Sequence, residues 1–236
     1  EAKGKDLFFN KLHCTKCHSG FNFTNYSLTN NGSITIENAG SLIYHPCDAP
    51  ITGTNDFTVR RRTPNYPDPY MYSFWSSPII NAIPAAVFPL SSVIWYFDAN
   101  SNGSDWASNL GAALISGVGY AVRSESAGES DILFDGKINE GKISRSISFG
   151  PNPPNTDPGN VWSLDGDNLI GNPYAAAIDW NVIIQDEVNV GLEGEVYFWN
   201  QKNEVVGVDN NVSDYVQYNF TGGGTVGVTS VIASGQ

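Results

Sequence analysis

The sequence predicts an all-β protein, a β-sandwich-like antiparallel body preceded by a short N-terminal helical segment. Three observations predict it. Gly (24) and Pro (13) are abundant among the 236 residues, aromatics reach 12% and charged residues only 15%, the balance of many short strands joined by turns. Segments alternating large and polar residues recur at intervals of roughly 8–15 residues, each bounded by Gly, Pro, Asn or Asp, as in a sandwich or barrel. Beyond the N-terminal segment no apolar pattern of helical period persists.

Taken in order, Leu7, Phe8 and Leu12 form an apolar stripe with Lys3, Lys5 and Lys11 elsewhere, a short helix over residues 1–20 that stops at Gly20. Phe21-Asn22-Phe23-Thr24-Asn25-Tyr26 alternates large and polar residues, Asn30-Asn31-Gly32 is a turn, and Ser33-Ile34-Thr35-Ile36-Glu37 has the period of a strand. Further strands are expected near 41–44, 57–61, 71–76, 93–97, 119–123, 132–137, 142–148, 168–171, 195–200, 214–218 and 226–233. The polar stretch 181–190 has room for one short helical turn. Pro151-Asn152-Pro153-Pro154-Asn155 cannot lie inside a sheet and reads as a loop, with a break between two sub-sheets near 150–160.

Twelve Lys and Arg against 24 Asp and Glu give a net charge of -12, which repels a phosphate backbone, so nucleic acid is not an expected partner. No run approaches the about 20 apolar residues of a membrane span, and Glu1 opens no signal-peptide pattern. Three cysteines, two of them in one motif, exclude a dense disulfide framework and leave Cys47 as a buried or unpaired thiol.

That motif is Cys14-Thr15-Lys16-Cys17-His18, the C-x-x-C-H attachment signature of c-type haem. Two thiols add to the porphyrin vinyl groups and the adjacent His ligates the iron. Rival readings are a zinc site completed by His45 and Cys47, a redox disulfide, although the βαβ frame usual for it is absent, or a non-functional remnant. With haem bound, His18 is the proximal ligand. Met71, the one methionine, and His45 are the candidates for the sixth position, each against an ordinary role as a packed strand residue or a loop histidine.

Asp98-Ala99-Asn100-Ser101-Asn102-Gly103 copies the first half of a calcium loop, with Asp98, Asn100 and Asn102 as oxygen donors. Asn109 stands where a bidentate Glu belongs, so an Asx-rich hairpin turn competes with that reading. Arg60-Arg61-Arg62 reads as a solvated edge strand. The six tryptophans, at 75, 95, 106, 162, 180 and 199, form either a sugar-binding platform or core packing. Neither a G-x-S-x-G elbow nor a Gly-rich phosphate loop occurs, and nothing in the sequence pairs two carboxylates as acid and base.

Gly4-Lys5-Asp6-Leu7-Phe8-Phe9, followed by Cys14 through Thr24, resembles the second haem-binding segment of the di-haem cytochrome c peroxidase and methylamine-utilisation family. The likeness covers residues 2–32. Arg62-Thr63-Pro64 and Pro69-Tyr70-Met71 resemble the same family's "RTP…PYM" stretch, which favours Met71 as a ligand; the family's other C-x-x-C-H is absent.

A second resemblance covers residues 33–236, carried by seven blocks in order: Ile36 to Leu42, Tyr72 to Ile79, Gly117 to Tyr120, Asn168 to Tyr174, Ala177 to Trp180, Val196 to Trp199, and Ile232 to Gln236. These are similar to a β-rich module of bacterial surface proteins exported by type IX secretion. The resemblance implies an extracellular or cell-surface location, brings no catalytic residues, and expects a further strand after Gln236.

The expected organisation is thus a haem-attachment segment at 1–32 and a β-rich surface module at 33–236. The expected function is a secreted or cell-surface structural or assembly protein carrying one covalent c-type haem capable of electron transfer. A peroxidase-like haem enzyme and a haem-free adhesin that binds glycans are the alternatives. Expected partners are a redox protein and further copies joined through sheet edges.

Overall fold

The computed structural model describes residues 28–43, 51–54, 56–91, 93–100, 105–109, 111–148, 167–186, 189, 192, 194–199, 215–219 and 231–232. The helix expected over 1–20 and the loop at 151–155 lie outside them. Eleven strands and two short helices run in the order β1 (Ile34–Ile36), β2 (Phe57–Arg62), β3 (Tyr72–Trp75), α1 (Pro84–Val87), β4 (Ile94–Asp98), β5 (Asp105–Ser108), β6 (Tyr120–Arg123), β7 (Asp131–Gly136), β8 (Ile178–Asp179), α2 (Trp180–Ile184), β9 (Glu195–Trp199), β10 (Tyr215–Asn219) and β11 (Val231–Ile232), counted among the described residues. The fold is all-β, as the sequence predicts.

Four strands pair in the order β3-β6-β4-β5 and three in the order β1-β2-β7, while β9 with β10 and β8 with β11 form two-stranded ribbons. Pairing is antiparallel except for β1 with β2, which run parallel. Alternation decides the faces. On β2, Phe57 and Val59 are buried, and on β7 so are Ile132 and Phe134. These meet Trp75, Ile94, Tyr120 and Val122 from the inner face of the four-stranded sheet in one core cluster. Phe88 bridges the two sheets: its ring is tilted against Trp75 at 6.0 Å and edge-on to Phe134 at 6.1 Å. α1 delivers it. Pro84 sits at the start of that helix, where its missing N–H leaves no orphan, and the Phe88 N–H closes the turn on the Pro84 carbonyl at 2.7 Å.

The arginine run corrects the sequence reading. β2 is the central strand of its sheet rather than a solvated edge, and Arg61 lies on its inward side with 5% of its surface exposed. Its Nη1 donates to the carbonyls of Glu37 (2.9 Å) and Arg60 (2.7 Å), and its Nη2 to that of Gly40 (3.1 Å). The guanidinium therefore pins the turn after β1 onto β2, at the cost of desolvation, which pushes its pKa down. Arg60 and Arg62 face outward and pair with Glu37, Asp131 and Glu129. Such exposed pairs add little to stability, because solvent screens them.

Three expected strands are absent from the described ladders. Residues 41–43 are irregular, with the Leu42 N–H bonded to Ala175 O at 2.8 Å. Residues 142–148 follow no partner strand; Ser148 is held by the side-chain amide of Asn168 at 2.9 and 2.8 Å. Residues 168–171 contribute one bridge, Val118 to Ile170. Conversely, β5, β8 and α1 had no sequence signal strong enough to place them. The turn before β2 has its own constraint: Gly53 has φ +112° and a Cβ there would run into the Asn30 backbone, so only glycine fits.

A buried amide joins the two halves of the body. Asn139 Nδ2 donates to the Ser77 and Pro173 carbonyls, both at 2.8 Å, and its Oδ1 accepts from Ser116 Oγ at 2.9 Å. Asn172 does the same locally, donating to Ala176 O (2.7 Å) and accepting from the Tyr174 N–H (2.9 Å). These contacts account physically for the Ser-Ser-Pro and Asn-Pro-Tyr sequences: each supplies a bend whose carbonyls a buried asparagine caps.

Candidate functional site

The four-stranded sheet has a second face. Register places Tyr72 and Arg123 in one outward row, Phe74, Ala121, Trp95 and Ser108 in the next, and Phe97 with Trp106 in a third. The rings at 74, 95, 97 and 106 are half-buried rather than sealed into the core. Phe97 meets Trp106 edge-on at 5.4 Å and Trp106 leans on Phe74 at 6.0 Å.

The β9–β10 ribbon extends this face. Trp199 stacks on Phe74 at 5.4 Å with an 11° angle between planes, and its Nε1 donates to the Tyr72 carbonyl at 2.9 Å. Opposite Trp199 on the ladder, Tyr215 packs edge-on at 4.9 Å. Burial, and then the negative charge of Asp167, push the Tyr215 phenol pKa up. The ribbon's other side turns to α2, where Tyr218 donates to Asn181 Oδ1 at 3.0 Å. α2 is itself capped by Asp179, whose carboxylate accepts the Asn181 N–H at 3.0 Å. Alternation therefore sends Glu195, Tyr197, Trp199, Tyr215, Gln217 and Asn219 to the side that continues the aromatic face. Tyr197 is 53% exposed, donates to Glu195 Oε2 at 2.9 Å and accepts from Gln217 Nε2 at 3.4 Å.

A second device lies at the other end of the outward rows. Tyr70 has φ +70° and is 52% exposed, its N–H bonded to Ser124 O at 2.7 Å and its ring under the Arg123 guanidinium at 5.1 Å. Arg123 is also paired with Glu125 at 3.0 Å. The Arg62-Thr63-Pro64 and Pro69-Tyr70-Met71 triplets thus bracket a loop that clasps residues 124–130, with Tyr66 bridged to Gly128.

Cys14, Cys17, His18, His45 and Cys47 lie outside the described residues. Met71 precedes β3 on its inward side and is fully buried, where its thioether packs. Asp98 and Asn100 sit at the end of β4, the Asp98 carboxylate accepting the Asn100 N–H at 3.0 Å in an Asx turn, and Asn102 is outside the described residues. Among the described residues no group of three or more His, Cys, Asp or Glu converges on a point. No helix among them is long and apolar enough to cross a membrane.

The tryptophans divide. Trp75 and Trp180 are core residues, each 3% exposed, Trp162 is outside the described residues, and Trp95, Trp106 and Trp199 belong to the outer array. The array's Phe74, Phe97, Tyr197 and Tyr215 had not been singled out. A signal existed: Ile94-Trp95-Tyr96-Phe97 and Val196-Tyr197-Phe198-Trp199 are large at both parities, as expected of strands covered or engaged on two faces.

A family model with the description Domain of unknown function (DUF8693) matches residues 16–236. Neither the curated proteins nor the solved structures contain a match to this chain.

Proposed function

The chain belongs to the DUF8693 family, and from that premise we propose that it is a non-enzymatic, cell-surface or secreted structural protein that carries one c-type haem. The observation that carries the reading is Cys14-Thr15-Lys16-Cys17-His18. The family match begins at residue 16, inside the motif and after Cys14, and runs through the β body.

The donor set fits the group. Cys14 and Cys17 would hold the porphyrin by thioether bonds and His18 would ligate its iron, supplying one-electron transfer. The β body contributes rigidity and surface: two sheets share one core, and the outward face of one is aromatic. The likeness to type IX-exported modules supports the address. The net charge of -12 suits a soluble exterior protein that electrostatically repels nucleic acid and favours a basic redox partner.

Protein made in a host with cytochrome c maturation machinery should have an intact mass larger than the polypeptide by one haem. Cys14→Ser with Cys17→Ser should remove that increment. An unmodified mass in the parent protein rejects the haem. With haem attached, a low-spin, six-coordinate spectrum in both oxidation states marks a carrier, whereas a high-spin ferric site that turns over peroxide marks an enzyme.

A further inference from the structure

We propose that the exposed side of the β9–β10 ribbon is a binding site for neutral polysaccharide. The site is independent of the haem. Three features of the ribbon point to it, and they coincide on one side of two paired strands.

The first is a platform. Tyr197 is 53% exposed and Tyr215 38%, on adjacent rows of the same ladder. The C–H-rich face of a pyranose packs on such rings because it covers apolar carbon while leaving its hydroxyl groups at the rim. The second is the rim itself. Glu195 and Asn219 form the row on one side of the Tyr197–Gln217 row, so a carboxylate and two side-chain amides surround the ring. These are donors and acceptors matched to hydroxyl groups. The Tyr197 phenol is already fixed between Glu195 (2.9 Å) and Gln217 (3.4 Å), which orients the platform before any ligand arrives.

The third is support and extent. Behind Tyr215 the half-buried rings of Trp199, Phe74, Trp106 and Phe97 pack on one another at 4.9, 5.4, 6.0 and 5.4 Å, an aromatic stack that anchors the ribbon to the four-stranded sheet and holds the platform in place. Two exposed rings on adjacent rows, Tyr197 and Tyr215, offer contacts to successive residues of a sugar chain rather than to a monosaccharide alone. Charge sets the class. Glu195 borders the platform and Asp167 acts on Tyr215, so a uronate or sulfated polymer would meet negative charge on a protein of net charge -12. A neutral polymer meets none.

The test is affinity electrophoresis of the full chain through gels containing a soluble β-glucan, a mannan or alginate, followed by calorimetry with whichever polymer retards it. The expected result is retardation by a neutral polymer and none by alginate. Tyr197→Ala should weaken binding by about tenfold, the loss of one good ring contact, with the near-ultraviolet circular dichroism otherwise retained. Tyr197→Phe, which keeps the ring and loses the phenol, should retain most of the affinity. Migration unaffected by both neutral polymers overturns the proposal. So does stronger retardation by alginate, or Tyr197→Ala binding as tightly as the parent. Because a protein that lacks haem can still bind, and one that carries haem can fail to bind, this outcome is separate from that of the haem reading.

Discussion

Replacing Asn139 with Ala should be among the most damaging single substitutions outside the apolar core. The change removes the two donors that satisfy the buried carbonyls of Ser77 and Pro173 and the acceptor for Ser116 Oγ. Each buried carbonyl left unpaired costs about 1–3 kcal/mol, and the Ser116 hydroxyl, partly exposed, re-bonds to water. The sum is about 2–6 kcal/mol, a large share of the 5–15 kcal/mol typical of a folded domain. For a domain of this size that is a fall in Tm of about 4–24 °C. Urea denaturation followed by tryptophan fluorescence is the assay, with Ser116→Ala as the control, expected to cost no more than about 1 kcal/mol. An Asn139→Ala loss below about 1 kcal/mol, or one equal to that of Ser116→Ala, would refute the claim that this amide holds residues 77–78 to residue 173.

Arg61→Lys should destabilise by at least about 2 kcal/mol in urea melts, because one ammonium cannot span the Glu37 and Gly40 carbonyls of the turn as the guanidinium fork does. A neutral outcome would mean that charge alone matters there. Phe88→Ala should cost about 3–5 kcal/mol, since it empties the space between Trp75 and Phe134, and a loss near 1 kcal/mol would show that the sheets close without it. Alkaline pH should weaken the fold. Burial raises the phenol pKa values of Tyr66 and Tyr120 above the unfolded value near 10, so the folded state holds protons that the unfolded state releases; the stability is fully present below about pH 10 and is lost as pH rises through the folded values. Urea midpoints that stay constant from pH 9 to well above 10 would contradict this. Gly53→Ala should be poorly tolerated for a backbone reason, and a parent-like melting temperature would exclude the clash with Asn30.

Much of the fold was legible because alternation is a local signal. Strands β2, β4, β7, β9 and β10 fall within one or two residues of the segments their patterns mark, since one face of each is apolar and turn residues bound it. What failed was non-local. Ser148 and Leu42 sit in strand-like sequence, but their partners are an Asn168 amide and an Ala175 carbonyl, neither of which any pattern at residues 142–148 or 41–44 can announce. Arg61 was misread for a related reason. A run of three arginines suggests solvent, and only the parallel pairing of β1, which brings the Glu37 and Gly40 carbonyls alongside, makes the middle one a buried cap. The candidate site divides the same way. Trp95, Trp106 and Trp199 were visible as aromatics, yet their gathering on one face depends on the crossover order β3-β6-β4-β5 and on β9 docking over Phe74. The C-x-x-C-H motif is recognised by residue type and spacing alone, and it lies outside the described residues.

The central proposal is that covalent haem and the β body belong to one protein, and the absorption spectrum of the purified chain tests it most directly. Material matured in a host competent for c-type cytochromes should show an intense Soret band that survives denaturation and organic extraction, because thioether bonds to Cys14 and Cys17 would hold the porphyrin, and Cys14→Ser with Cys17→Ser should abolish it. A colourless protein that nonetheless folds and melts cooperatively would contradict the account.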